Sequence, residues 1–234
     1  MLGIGTILKH IRIVFDTKAG RAWCASIWFV HFTTMKIIPL FPKAVSQTNL
    51  GRNFSKTEFD IFQKHSNTVR RNISNSTSLN VDILTEPELS DIATWITKEC
   101  QEYINNIVVP ENPVDIYVTQ SWINVTNKNE QHHAHHHSNS YLSGVFYVAA
   151  KKDLIKFSDK QYRQIFLRPR DYNMFNSQTW SVEVSTGDLI IFPSELYHEV
   201  PVLNTSGPRI SLAFNTWIKG ELGKSSTLDF LKLS

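Results

Sequence analysis

Five histidines fall within the six residues 132–137, namely His132, His133, His135, His136 and His137, just ahead of the strand-like run SYLSGVFYV. In an H-x-H sequence on an extended segment both imidazoles point to one face, because side chains alternate with a period of two. His135 and His137 satisfy that rule. His198 follows the apolar run Leu189, Ile190, Ile191 and Phe192 and the break at Pro193, so it can bring a third imidazole from a distant strand. Three ligands on one face of an octahedral ion leave the other positions open, whereas a structural zinc site is normally closed by four protein ligands. The spacing suits a catalytic metal.

Arg209 opens a second polar pattern. In RISLAFN, Arg209, Ser211 and Ala213 alternate with Ile210, Leu212 and Phe214, so the guanidinium and the Ser211 hydroxyl share a face. A guanidinium is permanently charged and meets a carboxylate through a two-pronged fork, to which a nearby hydroxyl adds a hydrogen bond. The pair suits the distal carboxylate of a 2-oxo diacid. Each feature alone has a plainer explanation: a surface histidine tract that collects metals adventitiously, a satisfied core histidine, or an exposed ion pair of little energetic weight. Their order and shared strand context favour a joint site.

The segments HHHSNSYLSGVFYV, GDLIIFPSELYHEV and PRISLAFN, in this order, resemble the 2-oxoglutarate and Fe(II)-dependent oxygenases, and more narrowly a family of such proteins in marine bacteria and their phages. The resemblance spans roughly residues 36–220. It implies a mainly β protein with supporting helices, a double-stranded β-helix (jelly roll, cupin-like) with iron between two sheets near one open end. Carried across by residue, it implies His135, His137 and His198 as metal ligands, and Arg209, Ser211 and Tyr147 as contacts to 2-oxoglutarate. No catalytic side chain is implied beyond the ligands. The expected cofactor is Fe(II), with 2-oxoglutarate and dioxygen as cosubstrates and ascorbate in support. The implied reaction is hydroxylation of a C–H bond in an unidentified substrate, with release of succinate and carbon dioxide.

One departure matters. The usual facial triad is two histidines and a carboxylate, and nothing acidic stands at position 137 or 139. Either the site uses three histidines, or Asn139 joins His137 and His198. The first reading is preferred, because a neutral amide oxygen is a poorer ligand than imidazole. His132, His133 and His136 are read as loop or supporting groups. Two other classes stay open: a cupin-like three-histidine metalloenzyme that does not use 2-oxoglutarate, for which the Arg209–Ser211 pair has no purpose, and a non-catalytic β-sandwich interaction module.

The elements that must position these residues follow from patterning. At 234 residues and 41% hydrophobic content the chain can bury one sizeable core. The organisation expected is an N-terminal extension at 1–34, a helical support region at 35–112, a catalytic β core at 113–220 and a tail at 221–234. Met35 is a candidate natural start, since the apolar stretch AWCASIWFV before it is too short to span a bilayer. SKTE at 55–58 and TEPE at 85–88 read as capping boxes. Leu89, Ile92, Ile96, Cys100, Tyr103 and Ile107 then form one helical stripe, expected to lie against the outside of a sheet. Ile116 to Asn124 reads as a strand apolar on both faces, with further strands at 143–149, 164–167, 180–184, 188–192, 197–200 and 209–217. Trp122 and Tyr141 are candidate pocket walls. The net charge of +3 is too small and scattered to argue for nucleic acid, and Lys151, Lys152, Arg163, Arg168 and Arg170 are read as a solvated face. Only Cys24 and Cys100 are present, which suits a reducing compartment, hence the cytoplasm, that of the host for a phage gene. No membrane partner is expected, and a homodimer is one option for the assembly.

Overall fold

Strand alternation places every second side chain of the major sheet toward a second sheet and the others toward two helices. The computed structural model describes residues 37–160, 165 and 167–234. The expected N-terminal extension at 1–34 and Cys24 lie outside the described residues, as does part of the expected strand at 164–167. Residues 43–234 make one compact unit. In chain order its regular elements are β1 (Ser46–Asn49), α1 (Lys56–Ser66), β2 (Val69–Arg71), β3 (Ser76–Ser78), α2 (Ser90–Tyr103), β4 (Val114–Thr126), β5 (His132–His135), β6 (Leu142–Ala149), β7 (Asp153–Ser158), β8 (Thr179–Val184), β9 (Asp188–Pro193), β10 (Tyr197–Val200), β11 (Arg209–Leu222) and β12 (Leu231–Leu233).

The major sheet runs β1-β9-β6-β11-β4-β3-β2, with β12 added to β11, and the minor sheet runs β5-β10-β7-β8. The pairs between these strands are antiparallel. The result is the double-stranded β-helix. The major sheet draws β1, β2 and β3 from the stretch read as helical support, and it continues past residue 220 through β12.

Two apolar clusters follow from the alternation. Ile123, Phe146, Leu189, Ile191, Leu212 and Phe214 face the helices and pack with Phe62 of α1 and with Ile92, Ile96 and Cys100 of α2. The intervening positions Tyr147, Ile190 and Phe192 face the minor sheet and pack with Ile155 and Phe157 of β7 and Val184 of β8. The helical stripe thus lies against the outside of the sheet, as its period requires.

The helix starts differ from each other. The SKTE box forms: the Ser55 hydroxyl accepts from the Glu58 amide at 3.2 Å, and the Glu58 carboxylate accepts from the Ser55 amide at 2.7 Å. Arg52 pairs with the same carboxylate at 2.6 Å and holds it below the usual carboxylate range. The TEPE box does not form, because Thr85 and Pro87 fall in short 3₁₀ turns and the Thr85 hydroxyl instead donates to the Asp82 carbonyl at 2.6 Å. The stripe also ends early. Residues 104–108 form a π turn, which shifts the buried position to Ile104 and leaves Ile107 53% exposed.

Gly144 of β6 is pressed against its neighbours on β11 and β9. It is paired with Phe214, and a Cβ there would lie 2.2 Å from the Phe214 ring and 2.9 Å from the Ile190 carbonyl oxygen. Gly144→Ala is expected to destabilise the protein by about 1–3 kcal/mol in denaturant titration. An unchanged midpoint would show that this contact has slack.

Candidate metal centre

β10 is the strand that assembles the site. His198 is the cross-strand partner of His135 on β5 and of Phe157 on β7, so all three side chains share the inward face of the minor sheet. His137 follows β5, tied down by its amide, which donates to the Ser194 carbonyl at 2.9 Å. The ligating nitrogens of His135, His137 and His198 all lie within 4.8 Å of one another.

Each of the three rings has one nitrogen committed to an oxygen. His135 Nδ1 donates to the His133 carbonyl at 2.7 Å, and His198 Nδ1 donates to the Leu196 carbonyl at 3.0 Å. His137 Nδ1 donates to the Asn215 Oδ1, which also accepts from the Ser143 hydroxyl at 2.9 Å. These acceptors place the protons on Nδ1 and leave each Nε2 lone pair free. His135 Nε2 and His137 Nε2 face each other at 3.2 Å, close to the roughly 3 Å that separates two nitrogens sharing one first-row metal ion. Two lone pairs at that distance repel unless a cation lies between them. Burial pushes the His135 imidazole down to about 4 and the His198 imidazole down to about 3. His137 is lowered by burial as well, against the opposing hydrogen bond to Asn215. Neutral imidazoles with free Nε2 atoms are what a divalent ion requires.

The floor of the pocket is a set of cross-strand rows from the major sheet. Ser211 of β11 is paired with Tyr147 of β6 on one side and Asn124 of β4 on the other. One step along, Ala213 is flanked by Val145 and Trp122, and in the other direction Arg209 is paired with Thr126. All of these line one pocket with His132, His135, His137 and His198. Trp122 stacks on the His137 ring at 5.8 Å between centroids. Two polar atoms of the central row, the Tyr147 hydroxyl and Asn124 Oδ1, are buried without a hydrogen-bond partner. Burial raises the Tyr147 phenol further, so it stays a donor.

Arg209 is 3% exposed and already has two partners. Its Nη1 pairs with Asp153 at 2.6 Å and its Nη2 donates to the Thr126 hydroxyl at 3.0 Å. A guanidinium carries five N–H donors, so three remain.

Asn139 stands apart from this arrangement: it is exposed, has a positive φ of 55° and does not line the pocket. Tyr141 packs instead with the cluster on the helix side of the sheet. His136 is exposed and rests on Tyr197, with centroids 4.8 Å apart. His132 is nearer the centre than a loop group would be, since it lines the pocket and stacks on His135 at 4.7 Å, and burial pushes it down to about 2.

Comparison with known proteins gives a family match and a set of shared folds. Residues 120–215 match the family model described as "Putative 2OG-Fe(II) oxygenase". That stretch, which holds β5 to β10 with most of β4 and the first half of β11, is similar to this family. Solved structures share the fold at low identity. The alpha-ketoglutarate-dependent epimerase SnoN from nogalamycin biosynthesis is 10% identical, with 80% of this chain and 83% of that chain covered and a TM-score of 0.51. The carbocyclase SnoK from the same biosynthesis is 12% identical (74% and 79% covered, TM-score 0.50). AviO1 from Streptomyces viridochromogenes is 8% identical (74% and 89% covered, TM-score 0.50). A search of curated proteins finds no significant match.

Around this pocket the sequence pattern does not single out Asn215, Asp153 or Asn124. Asn215 continues the alternation Arg209, Ser211, Ala213 by one step, so its inward face could have been read from the same pattern. Asp153 shares parity with Ile155 and Phe157 in the short strand DLIKFS, which the neighbouring lysines obscure. Asn124 falls in a strand by its pattern, with no local signal of a role.

Replacing His135, His137 or His198 with alanine is expected to abolish stoichiometric metal binding measured by elemental analysis, while Asn139→Ala retains it. Asn215→Ala should weaken metal affinity by about 10–100-fold, the usual effect of removing a group that orients a ligating histidine. Loss of metal in the Asn139 variant with retention in the His137 variant would overturn the ligand assignment.

Proposed function

We propose that this protein is a 2-oxoglutarate and Fe(II)-dependent dioxygenase that hydroxylates a C–H bond of its substrate. The observation that carries the reading is the row of partnerless buried polar groups set beside a three-imidazole face. A metal site alone needs neither the Tyr147 hydroxyl nor a guanidinium beside it, and burying that hydroxyl without a partner is unfavourable. An organic dicarboxylate accepts from the Tyr147 hydroxyl and from the N–H groups of Arg209 that Asp153 and Thr126 leave over.

In this reading His135, His137 and His198 hold the iron through Nε2. A ferrous ion there supplies, with 2-oxoglutarate and dioxygen, the oxidising power for hydroxylation, with succinate and carbon dioxide as co-products. The chain's own contribution is binding and orientation. The free N–H groups of Arg209, the Ser211 hydroxyl and the Tyr147 hydroxyl converge on the distal carboxylate, and Asn124 adds a fourth polar contact. Val145, Ile155, Phe157 and Phe192 wall the site with apolar groups and exclude water. SnoN has been solved with Fe3+, alpha ketoglutarate and nogalamycin RO bound, which supports a dicarboxylate in this fold (12% identical, TM-score 0.50). A three-histidine metalloenzyme without a cosubstrate has no use for the polar row.

Arg209→Ala is expected to weaken 2-oxoglutarate binding by about a hundredfold or more in calorimetry while leaving iron bound, because a buried charge contact is removed. Wild-type protein with iron and ascorbate should release succinate from 2-oxoglutarate, faster with the correct substrate than without. Equal 2-oxoglutarate affinity in the arginine variant would contradict the proposal.

A further inference from the structure

Among the described residues, one carboxylate is paired with the pocket's guanidinium, and it stands apart from the three imidazoles. Asp153 begins β7 on the same face as Ile155 and Phe157, and its carboxylate sits 2.6 Å from Arg209 Nη1. The two side chains are 12% and 3% exposed. Three neutral imidazoles leave a divalent ion with its full two positive charges, whereas two histidines and a carboxylate would leave one. The buried guanidinium adds another positive charge.

We infer that Asp153 supplies the negative charge that the three-imidazole ligand set lacks, so that the inner site with its metal carries two net positive charges and is matched to a dianionic 2-oxo diacid. The inference rests on the oxygenase reading for the identity of the dianion, though not for the electrostatic role. A site with a carboxylate ligand on the metal and an unpaired arginine reaches the same total. In this chain the carboxylate stands beside the guanidinium and not among the imidazoles. The placement also keeps the guanidinium from being an unpaired buried cation before the ligand arrives, a state that is strongly unfavourable. Asp153 is a positioning residue, acting through Arg209 and through the field it creates.

A purely structural role and a charge-balancing role predict different patterns. Asp153→Asn keeps an oxygen that accepts from Arg209 and removes only the charge. Calorimetric titration with Mn2+ and, on the Mn2+-loaded protein, with 2-oxoglutarate should then move in opposite directions: metal affinity falls and 2-oxoglutarate affinity rises, each by about tenfold for a partly screened charge at this range. His137→Asp, which restores a carboxylate on the metal, should shift both in the reverse sense. The double variant should return both affinities to near the wild-type values. Weakening of both ligands together in Asp153→Asn, or no change in either, would overturn the inference, and so would a double variant whose affinities fail to return toward the wild-type values. If wild-type protein does not bind 2-oxoglutarate at all, the oxygenase reading fails, while the metal titration still decides the role of Asp153.

Discussion

Three imidazoles whose free nitrogens point at one another are the constraint on which the rest of the structure depends. Neutral histidines in contact gain little from each other, and lone pairs at 3.2 Å repel. The arrangement is held by what lies behind each ring: two backbone carbonyls and the Asn215 amide oxygen, each accepting an Nδ1 proton. Those three acceptors set the tautomers, and the tautomers turn three lone pairs toward one another. Asn215 is fixed in turn by Ser143, whose hydroxyl also contacts Ser194 at 2.8 Å, so the orientation of His137 is anchored in both β6 and the turn that follows β9.

The fold serves this tripod by simple alternation. β11 and its neighbours present Ile210, Leu212 and Phe214 toward the helices and Arg209, Ser211, Ala213 and Asn215 toward the minor sheet. One strand therefore contributes to the outer core, lines the pocket with Arg209 and Ser211 and orients His137 through Asn215. A one-residue slip would exchange these faces entirely. The register is secured by pairing along most of the length of β4 and by close packing at Gly144, where no larger residue fits. Helices α1 and α2 carry no site residue. Their work is to cover the outward face of the sheet, which allows the inward face to be polar.

The parts legible in the sequence are those governed by short-range periodicity. The H-x-H pair, the inward parity of Arg209 and Ser211, the SKTE cap and the strands near 180–184, 188–192 and 197–200 all follow from local alternation or local hydrogen bonding. The parts that were not legible depend on partners far along the chain. The pairing of Asp153 with Arg209 needs β7 to lie opposite β11, and no local pattern in DLIKFS announces that. The failed TEPE cap and the exposed Ile107 have a different origin: 3₁₀ and π turns at the two ends of α2 change the residue count per turn, so an ideal helical period misplaces both ends. The sequence leaves His137 and Asn139 open as ligands because both precede a strand, and the backbone places Asn139 at a positive φ with its side chain exposed, apart from the three imidazoles.

The most direct test is a crystal structure of the protein with Mn2+ and 2-oxoglutarate bound, the metal located by anomalous diffraction. The account predicts one ion bonded to Nε2 of His135, His137 and His198, with the distal carboxylate of the dicarboxylate against Arg209, Ser211 and Tyr147. A metal bound elsewhere in the histidine tract, or a dicarboxylate that leaves the Tyr147 hydroxyl and Arg209 untouched, would contradict it.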